Sequence, residues 1–168
     1  KISPYYTNII RFIKQLDEAG ADAIIMFNRL FQPEINIETE TNEYPDNLSH
    51  SDDKKLALRY TAISAGNIKA QLVATNGIHY GADAIKLLLA GAQAVQIVST
   101  VYKNGFEGIK NMIEDIDKWM ERKEYKTIDE FRGKLSKKNI TDPYAYKRAQ
   151  YIDILLNSED IFKFNPQP

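Results

Sequence analysis

Apolar residues recur along this chain with two alternating periods. Over residues 8–19, Ile9, Ile10, Ile13 and Leu16 fall on one helical stripe, with Thr7 as the expected cap. Gly20 ends that pattern, and residues 21–27 form a near-continuous apolar run, the composition of a parallel strand covered on both faces. A second run, Gln71-Leu72-Val73-Ala74-Thr75, stops at the turn signal Asn76-Gly77. Ala82, Ile85, Leu88 and Leu89 follow at helical spacing, Gly91-Ala92 closes that helix, and Ala94-Val95-Gln96-Ile97 supplies a third strand. Gly20-Ala21-Asp22-Ala23-Ile24-Ile25 echoes Gly91-Ala92-Gln93-Ala94-Val95-Gln96, so the helix-to-strand unit is repeated.

Two further helices extend the pattern. Ser51-Asp52-Asp53 is expected to cap a helix over 54–64 in which Leu56, Leu58, Tyr60 and Ile63 are partly buried. Residues 108–123 place Ile109, Met112, Ile113, Ile116 and Met120 on an amphipathic helix whose methionines belong to the core. Strand alternating with helix predicts an α/β fold built from the βα units of a (β/α)8 barrel. Residues 29–53 interrupt the alternation. They are polar, hold Pro33 and Pro45, and alternate around Ile35 and Ile37, which reads as a long strand-to-helix loop carrying a short hairpin. The carboxylates Glu34, Glu38, Glu40 and Glu43 have no basic partner in that pattern and read as a solvated face.

Barrels carry their chemistry at the carboxyl ends of the strands. The turn amides after Thr75 and after Ile97, with the hydroxyls of Ser99 and Thr100, are spaced to converge on one dianion. The same spacing describes a βαβ packing unit with no ligand, and spacing alone leaves both open.

The blocks Asn76-Gly77-Ile78, Asp83-Ala84 through Ala90-Gly91-Ala92, and Gln96-Ile97-Val98-Ser99 resemble the flavin-phosphate half of the dihydroorotate dehydrogenase family of FMN-dependent barrels. Lys1-Ile2-Ser3-Pro4-Tyr5-Tyr6, Phe27-Asn28 and the closing helical segment at 124–135 resemble three more blocks in the family's order. Phe27-Asn28-Arg29, Phe31-Gln32-Pro33 and the long tail look closer to the dehydrogenase-like branch. The resemblance implies an oxidoreductase of pyrimidine metabolism in which a substrate C–H gives a hydride to FMN. It implies that Lys1 meets the pyrimidine edge of the flavin, that Asn28 hydrogen-bonds the substrate, and that Asn76, Gly77, Val98 and Ser99 hold the FMN phosphate. The family's catalytic cysteine or serine lies on a loop outside this segment, so no catalytic residue is expected within it.

Two positions depart from the family pattern. Asn76 stands in place of a glycine, and asparagine tolerates left-handed backbone angles. Val98 stands in place of the strand-end glycine, where a β-branched residue resists positive φ and close approach by an anion, so strain and weaker phosphate binding are expected there. Arg29 and Phe31 beside the flavin imply a carboxylate-bearing or otherwise anionic substrate other than dihydroorotate itself. The alternative is an Arg29 side chain turned away into a salt bridge.

Length adds a constraint. A complete barrel takes about 250 residues, whereas this chain has 168 and opens at Lys1-Ile2-Ser3-Pro4 with no apolar strand before the proline. It is therefore expected to be the carboxyl-terminal part of a longer protein. Residues 1–135 carry the barrel from the end of strand five through helix eight. Residues 136–168 form a helical tail extension, with a helix from Asp142-Pro143 towards Leu156 and an extended end from Phe162.

Composition narrows the partners. Lys and Arg number 22 against 23 Asp and Glu, a net charge of -1, which suggests no nucleic-acid partner. No apolar run approaches the about 18 residues of a membrane helix. His50 and His79 are not spaced as metal ligands, and with no cysteine the segment holds neither a disulfide nor a thiol base. A cytoplasmic homodimer is expected. A flavin-free barrel that binds a phosphorylated metabolite or serves assembly is the alternative, and Val98 favours it.

Overall fold

The computed structural model describes residues 1–30, 33–43, 48–142 and 146. In chain order its elements are α1 (Ile9–Glu18), β1 (Ala23–Met26), the hairpin strands β2 (Glu34–Asn36) and β3 (Thr41–Glu43), and α2 (Lys54–Ser64). They are followed by β4 (Gln71–Thr75), α3 (Gly81–Ala90), β5 (Ala94–Gln96), α4 (Ser99–Asn104) and α5 (Glu107–Arg122).

Strands β1, β4 and β5 pair in parallel in that order, with Ile24 beside Leu72 and Ala74 beside Val95. Ile2 forms a parallel bridge to Met26 and so occupies the end of one further strand position. Parallel neighbours need a crossover, and each crossover here contains a helix: α1 before β1, α2 between β1 and β4, α3 between β4 and β5. Sequential order without reversal is the winding of a barrel rather than of a doubly wound sheet.

Paired residues share a face. Ile24, Met26, Leu72 and Ala74 are buried in one core with Ile9, Ile13, Ala57, Ala84, Leu87 and Met112 of the helices. The alternate residues Ala23, Gln71, Ala94 and Gln96 are exposed, while Ile25 and Val73 are half-buried. The helices cover one face of these strands. The other face is the inside of a barrel arc.

Local chemistry shifts several predicted ends. Asn8, not Thr7, caps α1, its Oδ1 accepting the Arg11 N–H at 3.0 Å. Ser51-Asp52-Asp53 forms a 3-10 turn leading into α2 and makes no side-chain cap. The Asp53 carboxylate instead accepts the His50 N–H at 2.9 Å, and the Ser51 hydroxyl donates to Asp83. Leu56, Ala82 and Ile113 face solvent; Ala57, Ala84 and Met112 take the buried positions beside them.

Gly91 ends α3 with φ +111°, where a Cβ would stand 2.4 Å from that of Ala65. The segment 124–142 folds as turns around a short 3-10 piece, Ile128–Glu130, rather than as a helix. It docks by main-chain donation: Gly133 N–H to Leu88 O at 2.9 Å, Leu135 N–H to Leu89 O at 2.8 Å and Lys137 N–H to Ala62 O at 2.8 Å. The rings of Trp119, Tyr125 and Phe131 cluster there, Trp119 meeting Phe131 edge-on. The Tyr146 hydroxyl donates to Leu135 O at 2.6 Å, and burial pushes its titration up. Phe31, Gln32, the rest of the tail helix and the extended end lie outside the described residues.

The hairpin in 29–53 forms as predicted. Asn36 Oδ1 accepts the N–H groups of Glu38 and Thr39, which turns the chain between β2 and β3.

Candidate functional site

At the carboxyl ends of β1, β4 and β5 lies a cavity of about 220 Å³. Lys1, Asn28, Asn76, Gly77, Val98 and Ser99 all line it. Each arrives by a different route. Ile2 N–H donates to Ile25 O at 3.0 Å and Asn28 N–H donates to Ile2 O at 2.8 Å, which sets Lys1 and Asn28 side by side. Asn76 adopts φ +77°, the left-handed geometry its side chain tolerates, and its Nδ2 donates to Phe27 O at 2.9 Å, tying the end of β4 to the end of β1.

Gly77 is needed for a reason other than ligand access. At φ +64°, a Cβ on it would sit 2.4 Å from Lys54 N and 2.7 Å from His50 O, so the missing side chain admits the main chain of residues 50–54. Val98 corrects a second expectation. Its φ is −134°, outside the left-handed region, so the glycine position is occupied without left-handed strain and the side chain stands exposed in the cavity wall.

The two hydroxyls separate. Ser99 Oγ lines the cavity and accepts the Ser49 N–H at 2.8 Å. Thr100 does not join it: that side chain is buried and its hydroxyl donates to Ile78 O. Arg29 lines the cavity and is also paired with Asp53, the salt bridge that the alternative reading expected.

Ser49 and Gln96 line the cavity without having been foreseen. Ser49 sits in a polar loop with no periodic signal and reaches the site only through its bond to Ser99. Below the cavity, Asp83 accepts the His79 N–H at 3.0 Å and the Tyr80 N–H at 3.2 Å and pairs with Lys54 at 2.8 Å. Burial pushes the Asp83 carboxyl up, but the Lys54 ammonium and those two N–H donors outweigh it and hold it below the usual carboxylate range.

The arrangement suits an anion. Among the described residues no hydrogen bond engages the main-chain N–H of Gly77, Val98 or Ser99, and all three residues line the cavity together with the cations of Lys1 and Arg29. Free N–H donors at the ends of parallel strands, beside positive charge, fit a phosphate.

Fold and site together define a (β/α)8-barrel segment with an anion-suited cavity at its strand ends. The dihydroorotate dehydrogenase family profile matches residues 1–120, and the chain belongs to that family. It is 28% identical over 137 residues to the dihydroorotate dehydrogenase B (NAD(+)) catalytic subunit of Shouchella clausii, covering 79% of this chain and 44% of that protein. The protein of the same name from Maridesulfovibrio salexigens is 31% identical over 138 residues, covering 80% of this chain and 45% of the relative. The crystal structure of the Eimeria tenella enzyme in complex with ferulenol superposes with a TM-score of 0.61 at 19% identity, over 78% of this chain and 36% of that one, a likeness of fold. The chain spans a little under half the length of the curated relatives it matches. Among the described residues no helix is long and apolar enough to cross a membrane.

Proposed function

We propose that the cavity holds FMN by its phosphate and that the protein carrying this chain is an FMN-dependent oxidoreductase of the dihydroorotate dehydrogenase type, acting on dihydroorotate or a related anionic substrate. The observation that carries this reading is the set of unengaged N–H groups at Gly77, Val98 and Ser99 in one cavity with Lys1 and Arg29. When bound, FMN supplies the redox chemistry by taking a hydride from a substrate C–H.

The chain's own residues bind and orient. The three N–H groups and the Ser99 hydroxyl donate to the phosphate. Lys1 offsets negative charge at the opposite end of the flavin, and Asn28 hydrogen-bonds the substrate. Arg29, held by Asp53, presents its guanidinium at the rim to a substrate carboxylate. A cytoplasmic homodimer belongs to the same proposal, with size-exclusion chromatography as its check.

Steady-state assays with dihydroorotate and with other carboxylate-bearing compounds, using fumarate, NAD or a quinone as acceptor, test the reading. Arg29 leads us to expect slow dihydroorotate turnover and faster turnover of another anion; no flavin-linked oxidation of any of them contradicts the proposal. The flavin-free alternative drew on Val98 in two ways: a φ of −134° removes the left-handed strain, while the exposed side chain in the cavity wall remains in its favour, and a protein that cannot be loaded with FMN would support it.

A further inference from the structure

Beneath the cavity, His79 stands between two hydroxyls. Its Nδ1 lies 3.3 Å from Thr100 Oγ1 and its Nε2 lies 3.3 Å from Ser49 Oγ, and all three side chains are buried. The direction of every bond follows from the chain's end. The Ile78 carbonyl can only accept, so the Thr100 hydroxyl in contact with it donates there and offers His79 nothing but lone pairs. Nδ1 must therefore carry the hydrogen. In the neutral ring Nε2 is then the acceptor, and the Ser49 hydroxyl donates to it.

Ser49 is held at its other polar atoms as well. Its carbonyl accepts from Lys103 Nζ at 3.0 Å, and its N–H donates to Ser99 Oγ at 2.8 Å. Because Ser99 Oγ is the acceptor in that bond, its hydroxyl hydrogen is left to turn into the cavity that Ser99 lines.

We propose that His79 is a positioning residue of the cavity: as the Nδ1–H tautomer it anchors Ser49, and through the Ser49 N–H it sets Ser99 as a donor to a phosphate bound in the cavity. The choice of FMN as ligand rests on the function proposed above, whereas the tautomer and the anchoring do not.

Histidine 15N NMR on the intact protein tests the first half, with the His79 signal assigned by its loss in His79→Asn. A protonated Nδ1 and a bare Nε2 are expected; the opposite tautomer overturns the proposal whether or not flavin binds. Two isosteres test the second half. His79→Asn keeps a donor near Nδ1 for Thr100 and releases Ser49, whereas His79→Gln reaches as far as Nε2 and can offer Ser49 a carbonyl. With thermal unfolding showing both variants folded, FMN affinity in His79→Gln is expected to stay within about threefold of the parent, and in His79→Asn to fall by about tenfold, the effect of roughly one hydrogen bond. Equal affinity in all three proteins overturns the positioning role. A parent protein that binds no FMN defeats the flavin reading alone, and the same ranking is then read with inorganic phosphate; no phosphate binding overturns the role of Ser99 as a phosphate donor.

Discussion

The Lys54 ammonium lies 2.8 Å from the Asp83 carboxylate, with the two side chains 10% and 6% exposed, and the pair ties the first residue of α2 to the first turn of α3. Removing one partner strands the other charge in a dry place. Lys54→Met and Asp83→Asn are each expected to lower the unfolding free energy by about 3 kcal/mol, and the double variant by less than the sum. Urea unfolding measures this, and losses under about 1 kcal/mol in both single variants would show that water reaches the pair.

The same carboxylate makes stability depend on pH. Its folded titration lies below the ordinary value, so its contribution is fully present above about pH 4 and is lost as pH falls through the depressed folded value. The stability gap between the parent and Asp83→Asn should therefore hold constant from neutral pH down to about pH 4 and narrow below it. Chemical unfolding at a series of pH values checks this; a gap that widens on acidification has the wrong sign for the account.

Gly77→Ala strikes two constraints together, a φ of +64° and a Cβ placed 2.4 Å from Lys54 N. The neighbour is main chain and cannot swing aside. A loss of at least about 2 kcal/mol is expected, read as a drop in melting temperature, together with weaker anion binding because Gly77, which lines the cavity, must shift away from the 50–54 main chain. A variant as stable as the parent would mean that the loop does not press on Gly77.

Val98→Gly distinguishes strain from ordinary backbone. With φ at −134° there is no left-handed strain to relieve, so the substitution should leave stability unchanged or reduce it by up to about 1 kcal/mol through the freer unfolded chain. Thermal unfolding showing clear stabilisation would contradict the observed backbone.

What could be read from residues alone was what is local. β4, α3 and β5 are legible in Leu72, Ala74, Ile85, Leu88 and the left-handed Gly91, because period and cap act within a few positions. α4 was not legible, since Ser99–Asn104 carries no apolar period and is closed only by Gly105. Thr7 and Asn8 are adjacent capping candidates, and only geometry separates them. Gly77 shows the limit most clearly. Its glycine is visible in the sequence, while its cause, the main chain of residues 50–54, comes from another part of the chain. The six candidate site residues were named largely from family resemblance, and their gathering around one cavity depends on strand register and on the Ile2, Asn28 and Asn76 bonds that periodicity does not contain.

If, as proposed, this cavity recognises a flavin by its phosphate, the intact protein must tell FMN from riboflavin, which differ by that group alone. Measured by quenching of flavin fluorescence, FMN is expected to bind at least about a hundredfold more tightly, as two charge-assisted hydrogen bonds or more would give. Equal affinities, or no binding of either flavin, would contradict the proposal.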